Sequence, residues 1–118
     1  MRLVIVESPY RGNLITRWLN LRYARACVRD CLMRGESPYA SHLLYTQRGI
    51  LRDHVPEERT LGMRAGFGWA TKADAIVVYV DRGITPGMQL GITTHRSRDT
   101  TIEHRSLYGI TAKSTTPC

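Results

Sequence analysis

Ala75-Ile76-Val77-Val78-Tyr79-Val80 is an unbroken apolar run, rich in β-branched and aromatic side chains and closed by the turn residues Asp81-Arg82-Gly83. It reads as a strand buried on both faces, because a strand with one wet face alternates apolar and polar residues. Such strands belong to parallel sheets covered by helices. Near the start of the chain, Leu3-Val4-Ile5-Val6 repeats the pattern and stops at Ser8-Pro9.

The segments around these two strands supply the rest. Residues 13–34 carry a helical pattern. Leu14, Trp18, Leu21, Val28, Cys31 and Leu32 fall on one face, the expected core side, and Arg22, Arg25 and Arg29 on another. Gly35 stands where a helix stop belongs, and Asp30 and Arg34 are spaced for an i,i+4 pair. Ser37-Pro38-Tyr39-Ala40-Ser41-His42 is a strand candidate, followed by a loop through Gly49 to Val55. Pro56-Glu57-Glu58 marks a helix start, since Pro suits the first helical position and acids suit the positive end of the dipole. That helix reaches Thr71 and carries Gly62, Gly66 and Gly68, each a cost of up to about 1 kcal/mol against Ala, which points to close approach to the sheet or a ligand. Thr85-Pro86-Gly87-Met88 opens a third helix ending near His95, and Thr101-Ile102-Glu103-His104 is a last short strand. Alternation of strand and helix predicts one α/β domain over residues 1–108, a three-layer open parallel sheet of about four strands with helices on both faces. Residues 109–118 read as a polar, disordered tail.

Composition narrows the class. A chain of 118 residues with 42% hydrophobic and 23% charged residues is an ordinary single globular domain. No apolar run approaches the roughly 20 residues needed to span a bilayer. The opening Met1–Glu7 is too short and too soon acidic for a signal peptide, so a cytoplasmic protein with no membrane partner is expected. The formal charge of +7 favours anionic partners. Lys72 and Lys113 are the only lysines; the other bases are arginines, which recognise phosphate or carboxylate bidentately, unless a genome bias alone explains them. Three cysteines make no disulfide framework or zinc set, Cys27 and Cys31 read as core, and His54, His95 and His104 lack metal-site spacing. No cofactor is expected.

In open sheets of this class, ligands bind beyond the C-terminal strand ends, where strand order reverses. That rule gathers Glu7-Ser8-Pro9-Tyr10, Ser41-His42 and Asp81 through Met88. The helix start at Thr85-Pro86-Gly87-Met88, with Arg82 upstream, reads either as a phosphate or carboxylate cradle or as a plain capped helix. Neither a Walker A loop nor G-x-G-x-x-G is present. Glu7 and Asp81 would serve as acid and base or hold sugar hydroxyls, although Asp81 equally suits a loop-start hydrogen bonder. Ser41 and His42, adjacent on a strand, would point to opposite faces and so form no nucleophile–base pair; His42 reads as a wall hydrogen bonder or a structural histidine. The Arg22, Arg25, Arg29 stripe is more often a solvated face than a nucleic-acid contact.

Ala73-Asp74-Ala75-Ile76-Val77-Val78-Tyr79-Val80-Asp81 and Gly87-Met88-Gln89-Leu90-Gly91, with Ser8-Pro9-Tyr10 and Gly12, resemble the nucleoside 2-deoxyribosyltransferase-like superfamily. With Ser41-His42 added, they also resemble a small family of uncharacterised phage and actinobacterial proteins near it. The match spans most of residues 1–105. The resemblance implies a flavodoxin-like, Rossmann-like sheet and a homo-oligomer. It also implies cleavage of the N-glycosidic bond of a nucleoside or nucleotide by a glutamate that attacks the anomeric carbon. Gln89 takes that glutamate's position here, and a neutral amide is a poor nucleophile. The second acid expected on the preceding helix is not evident either; its position falls around Ala65 and Gly66.

Two classes of function follow. One is an enzyme with relocated chemistry, its catalytic set drawn from Glu7, Asp81 and Gln89. The other is a non-catalytic nucleotide-binding protein, sequestering or regulatory. In both, Ser8, Pro9 and Tyr10 form one wall and Ser41 and His42 another. Asp81, Gly87, Met88 and Gln89 form the floor and the anion end, with Arg82 upstream as a further binding residue. Nucleic acid binding through the arginine stripe is the weaker third option.

Overall fold

The structure, a computed structural model, describes residues 1–108; the tail read at 109–118 lies outside them. Four strands, β1 (Arg2–Glu7), β2 (Glu36–Tyr39), β3 (Ala75–Tyr79) and β4 (Thr101–Arg105), form one parallel sheet in the order β2-β1-β3-β4. The connections hold α1 (Leu14–Met33), a short α2 (Ser41–Leu44), α3 (Pro56–Ala70) and α4 (Pro86–Arg96). This is the expected three-layer, flavodoxin- or Rossmann-like arrangement.

Register explains the layers. Val4 pairs with Ala75, Ile5 with Ile76, Val6 with Val77 and Glu7 with Val78. Paired residues share a face and successive residues alternate. Val4, Val6, Ala75, Val77 and Tyr79 therefore pack under Tyr23, Cys27 and Cys31 of α1. Ile5, Ile76 and Val78 pack under Ala70 of α3 and under Met88 and Ile92 of α4. All of β3 is buried. Pro38 sits in β2, an edge strand, where its missing N–H leaves no gap in the ladder.

Local signals account for the helix ends. Asn13 accepts from the Thr16 N–H at 2.8 Å and starts α1, and Gly35, at φ +79°, takes the left-handed position just after it. Arg34 and Asp30 pair at 2.9 Å. Thr85 caps α4 by accepting from the Met88 N–H. Gly62 and Gly66 bring α3 close to Leu51 and Ser41, so these glycines serve contact with α2 and its loop rather than with the sheet.

Two expectations are corrected. Leu14, Trp18 and Leu32 are exposed; the buried side of α1 is Asn20, Tyr23, Ala24, Cys27 and Cys31. Counting apolar residues misplaces this face because its polar members are hydrogen-bonded. Asn20 bonds the Tyr10 carbonyl and the Arg82 guanidinium, and the Tyr23 hydroxyl donates to Asp81 at 2.6 Å. The second strand ends at Tyr39. The chain then turns, so Ser41 and His42 begin α2 rather than end a strand, with the Leu43 and Leu44 N–H groups closing onto the Ala40 carbonyl.

Beneath α1 lies a network of charge. Arg105 grips Glu36 bidentately, both contacts at 2.7 Å, and donates to Glu103 at 3.0 Å. Arg2 bonds both carboxylates. The Tyr79 hydroxyl donates to Asp30 at 2.6 Å and lies beside Arg105. Arg105→Met leaves the buried Glu36 carboxylate with the longer Arg2 contact alone, so a loss of about 3 kcal/mol is expected in urea unfolding. Adding Glu36→Leu should recover most of it. An additive double mutant would show that the pair does not act as a unit.

Candidate active site

β1 leads outward to β2 and β3 outward to β4, so the strand order reverses between β1 and β3. Connections leaving in opposite directions open a crevice at the strand ends. Here it is a cavity of about 610 Å³. β1 and the turn after it contribute Ile5, Glu7, Ser8 and Tyr10. Tyr39, Ser41, His42 and Tyr45 come from β2 and α2, while α3 adds Met63 and Phe67. α4 closes the space with Thr85 through Met88, Gly91 and His95. Aromatic rings line much of it: Tyr39 lies 6.1 Å from Tyr45, and Tyr10 lies 5.9 Å from the His42 ring. Arg11, Asp53, Glu58 and Arg59 supply the remaining charged lining.

Glu7 is the last residue of β1, and alternation turns it to the α4 face. Its side chain is 19% exposed. No donor among the described residues lies within hydrogen-bond reach of its carboxyl group. A β-carbon on Gly91 would stand 2.5 Å from Oε2, so the carboxyl group occupies the space where a side chain on α4 would begin. Burial pushes its pKa up from 4.5 to about 8, making it predominantly a carboxylic acid at neutral pH. One helical turn beyond Gly91, His95 is 2% exposed, with Nε2 3.9 Å from Glu7 Oε2 and Nδ1 lacking a hydrogen-bond partner among the described residues. Burial and the nearby Arg98 charge lower its pKa.

Ser8 Oγ and His42 Nε2 are hydrogen-bonded at 2.8 Å. Burial pushes the imidazole down to about 4, so His42 is neutral at pH 7, with one ring nitrogen a donor and the other an acceptor. The serine paired with His42 is thus Ser8, from a different element, and not its neighbour Ser41.

Of the residues singled out from sequence, Glu7, Ser8, Tyr10, Ser41, His42, Gly87 and Met88 line the cavity; Pro9 is buried beside them without lining it. Three others lie elsewhere. Asp81 is two residues beyond Tyr79, so it falls on the α1 face, opposite Glu7, and the two carboxylates share no pocket. It accepts from Tyr23, Ser106 and the Leu107 N–H. Burial opposes its charge, but these bonds outweigh that and hold the carboxyl below its usual range. Arg82 donates to Asn20 at 3.0 Å rather than facing a ligand. Gln89 is exposed and donates to Thr93, because the buried face of α4 is Met88, Gly91, Ile92 and His95. That spacing was the overlooked signal for His95 and Gly91. Arg22, Arg25 and Arg29 are exposed, with Arg22 stacked 5.0 Å from the Trp18 centroid. Among the described residues, no three His, Cys, Asp or Glu side chains gather as a metal site. No helix there is long and apolar enough to cross a membrane.

Across protein families, residues 2–105 match a domain of unknown function, DUF7768. No curated protein and no solved structure matches the chain.

Two predictions follow from the position of Glu7. Gly91→Ala should destabilise by about 1–3 kcal/mol in denaturant unfolding, and the loss should shrink sharply in a Glu7→Ala background. Equal losses in both backgrounds would separate the two residues. The second concerns pH. The folded protein holds the Glu7 proton up to about pH 8 while the unfolded chain releases it near 4.5, so ionisation withdraws stability as pH rises through that window. Glu7→Gln removes the slope and should be more stable than wild type at pH 8 by on the order of 4 kcal/mol, with a smaller difference at pH 5. Parallel curves for the two proteins would exclude a raised Glu7.

Proposed function

We propose that this chain, which belongs to the DUF7768 family, a domain of unknown function, binds a nucleoside or nucleotide at its sheet crevice and hydrolyses the N-glycosidic bond with Glu7 as the acid. The observation that carries the reading is the Glu7 carboxyl group, largely withdrawn from solvent in an aromatic-lined cavity with no hydrogen-bonding partner among the described residues. A buried polar group left unpaired is costly, and such groups concentrate where they serve chemistry.

The enzymes that the sequence resembles draw a glutamate from the helix corresponding to α4. Here the residue in that position, Gln89, is neutral and exposed, while Glu7 reaches from β1 to the place where a side chain of α4 at Gly91 would start. The carboxyl is thereby supplied from the strand. A predominantly protonated group suits proton donation better than nucleophilic attack. The C–N bond breaks with its electron pair going to the base, and Glu7 protonates the base nitrogen. Water forms the new C–O bond at the anomeric carbon and surrenders a proton that restores the Glu7 acid. Tyr10, Tyr39 and Tyr45 offer faces for a planar base, and Arg11 and Arg59 supply positive charge for a phosphate.

A second reading, a protein that holds a nucleotide without cutting it, is favoured by Gln89, a neutral amide where the enzymes that the sequence resembles carry their nucleophilic glutamate. Incubation with nucleosides, deoxynucleosides and their monophosphates, followed by chromatography and mass spectrometry of released base, separates the two. Release that falls by about 10²-fold or more in Glu7→Gln supports the hydrolase. Tight binding without release would replace it with the holding protein, and absence of binding would overturn both.

A further inference from the structure

We infer that His95 is the positioning residue for Glu7, its Nε2–H held in reserve for the carboxylate that forms when the acid gives up its proton. The inference rests on the reading of Glu7 as the acid of the site.

Gly91 and His95 are one turn apart on the buried face of α4, and side chains at that spacing lie one above the other. Because Gly91 has no side chain, the Glu7 carboxyl crosses the helix surface and ends 3.9 Å from His95 Nε2. That gap is too long for a hydrogen bond and short enough to close by a small side-chain adjustment. The ring has little freedom otherwise. It is 2% exposed, and Phe67 of α3 meets it edge-on with centroids 5.8 Å apart. Nδ1 is buried with no hydrogen-bond partner among the described residues. A lone pair there is tolerated better than an N–H, since carbonyl-type acceptors are left under-satisfied more often than donors. The proton of the neutral ring therefore sits on Nε2, the nitrogen facing Glu7.

The imidazole faces Glu7 on β1, a neutral acid at pH 7, and the positive charge of Arg98 after α4, whose guanidinium also donates to the Phe67 carbonyl at 3.3 Å. His42, Asp53, Glu58, Arg11 and Arg59 line the same cavity. Arg98 and burial both disfavour an imidazolium, so the ring acts as a neutral donor and its protonation does not change during turnover. As the C–N bond breaks and the proton passes from Glu7 to the base, the new carboxylate accepts the Nε2–H bond. The attacking water then returns a proton to Glu7, and the contact lengthens again.

The decisive measurement is the Glu7 titration followed by ¹³C NMR of the labelled carboxyl group in the full chain, with His95→Phe and His95→Gln beside wild type. Phe removes the donor, and Gln keeps an N–H. Loss of a hydrogen bond to the charged form should raise the Glu7 midpoint by about one unit in His95→Phe and by less in His95→Gln. In the base-release assay, kcat should fall by about tenfold in His95→Phe with KM nearly unchanged, and His95→Gln should recover part of it. A midpoint unmoved in both variants overturns the inference whether or not base is released. If Phe perturbs the fold, the smaller Gln variant carries the same comparison. A shifted midpoint in a protein that releases no base keeps the Glu7–His95 pair and discards the hydrolase reading.

Discussion

The bidentate contact between Arg105 and Glu36 ties the last strand of the sheet to the first residue of its far edge. With Arg2 on β1 and Tyr79 on β3, the network touches all four strands, and through Asp30 and Cys31 it reaches α1. Such a network is costly to bury and costlier to leave half paired. It therefore discriminates against a slipped register: moving β4 by one residue would send Arg105 to the opposite face, because side chains alternate. The edges of this small sheet are held by charge as well as by backbone pairing.

That arrangement is confined to one face, and the cavity lies on the other. Glu36 and Glu7 belong to the same sheet, on opposite sides, and their environments drive them apart. Hydrogen bonds from Arg105 and Arg2 hold Glu36 below its usual range, while burial alone pushes Glu7 upward. Groups of one chemical type separated in this way suit different roles, and in the proposed hydrolase Glu36 is the structural one and Glu7 the acid. The α1 side supplies the platform; the α4 side carries the cavity, with an acid and an imidazole nitrogen that have no hydrogen-bond partner among the described residues.

Much of the fold was legible because burial leaves a simple mark on sequence. The unbroken runs mark the two central strands, with Val4–Val6 and Ala75–Tyr79 buried and Leu3 exposed at the start of the first, and Asn13, Gly35, Pro56 and Thr85 bracket the helices by local geometry. The buried face of α1 was not legible, because Asn20 and Tyr23 are interior through hydrogen bonds to residues distant in sequence. Half of the site was legible for the same reason as the sheet: strand ends at a reversal of order form a crevice, which brings Glu7, Ser8 and His42 together. Asp81 was drawn into that site by proximity to a strand end, yet parity along β3 places it on the other face. Gln89 was placed there by resemblance, and helical periodicity turns it outward. Tertiary contacts such as Ser8 with His42, or Glu7 over Gly91, exist only once the layers have stacked.

The space above Gly91 holds one functional group and admits no second. Positions 7 and 91 consequently behave as a single inheritable choice. A lineage can carry its carboxyl group on the strand with a glycine on the helix, or lengthen the helix residue and shorten the strand residue. Passing between these states one substitution at a time crosses an intermediate that is overfilled or has lost the acid. Among related chains, then, the two positions should change together or stay fixed together, giving a trace of the site that neither position would leave alone.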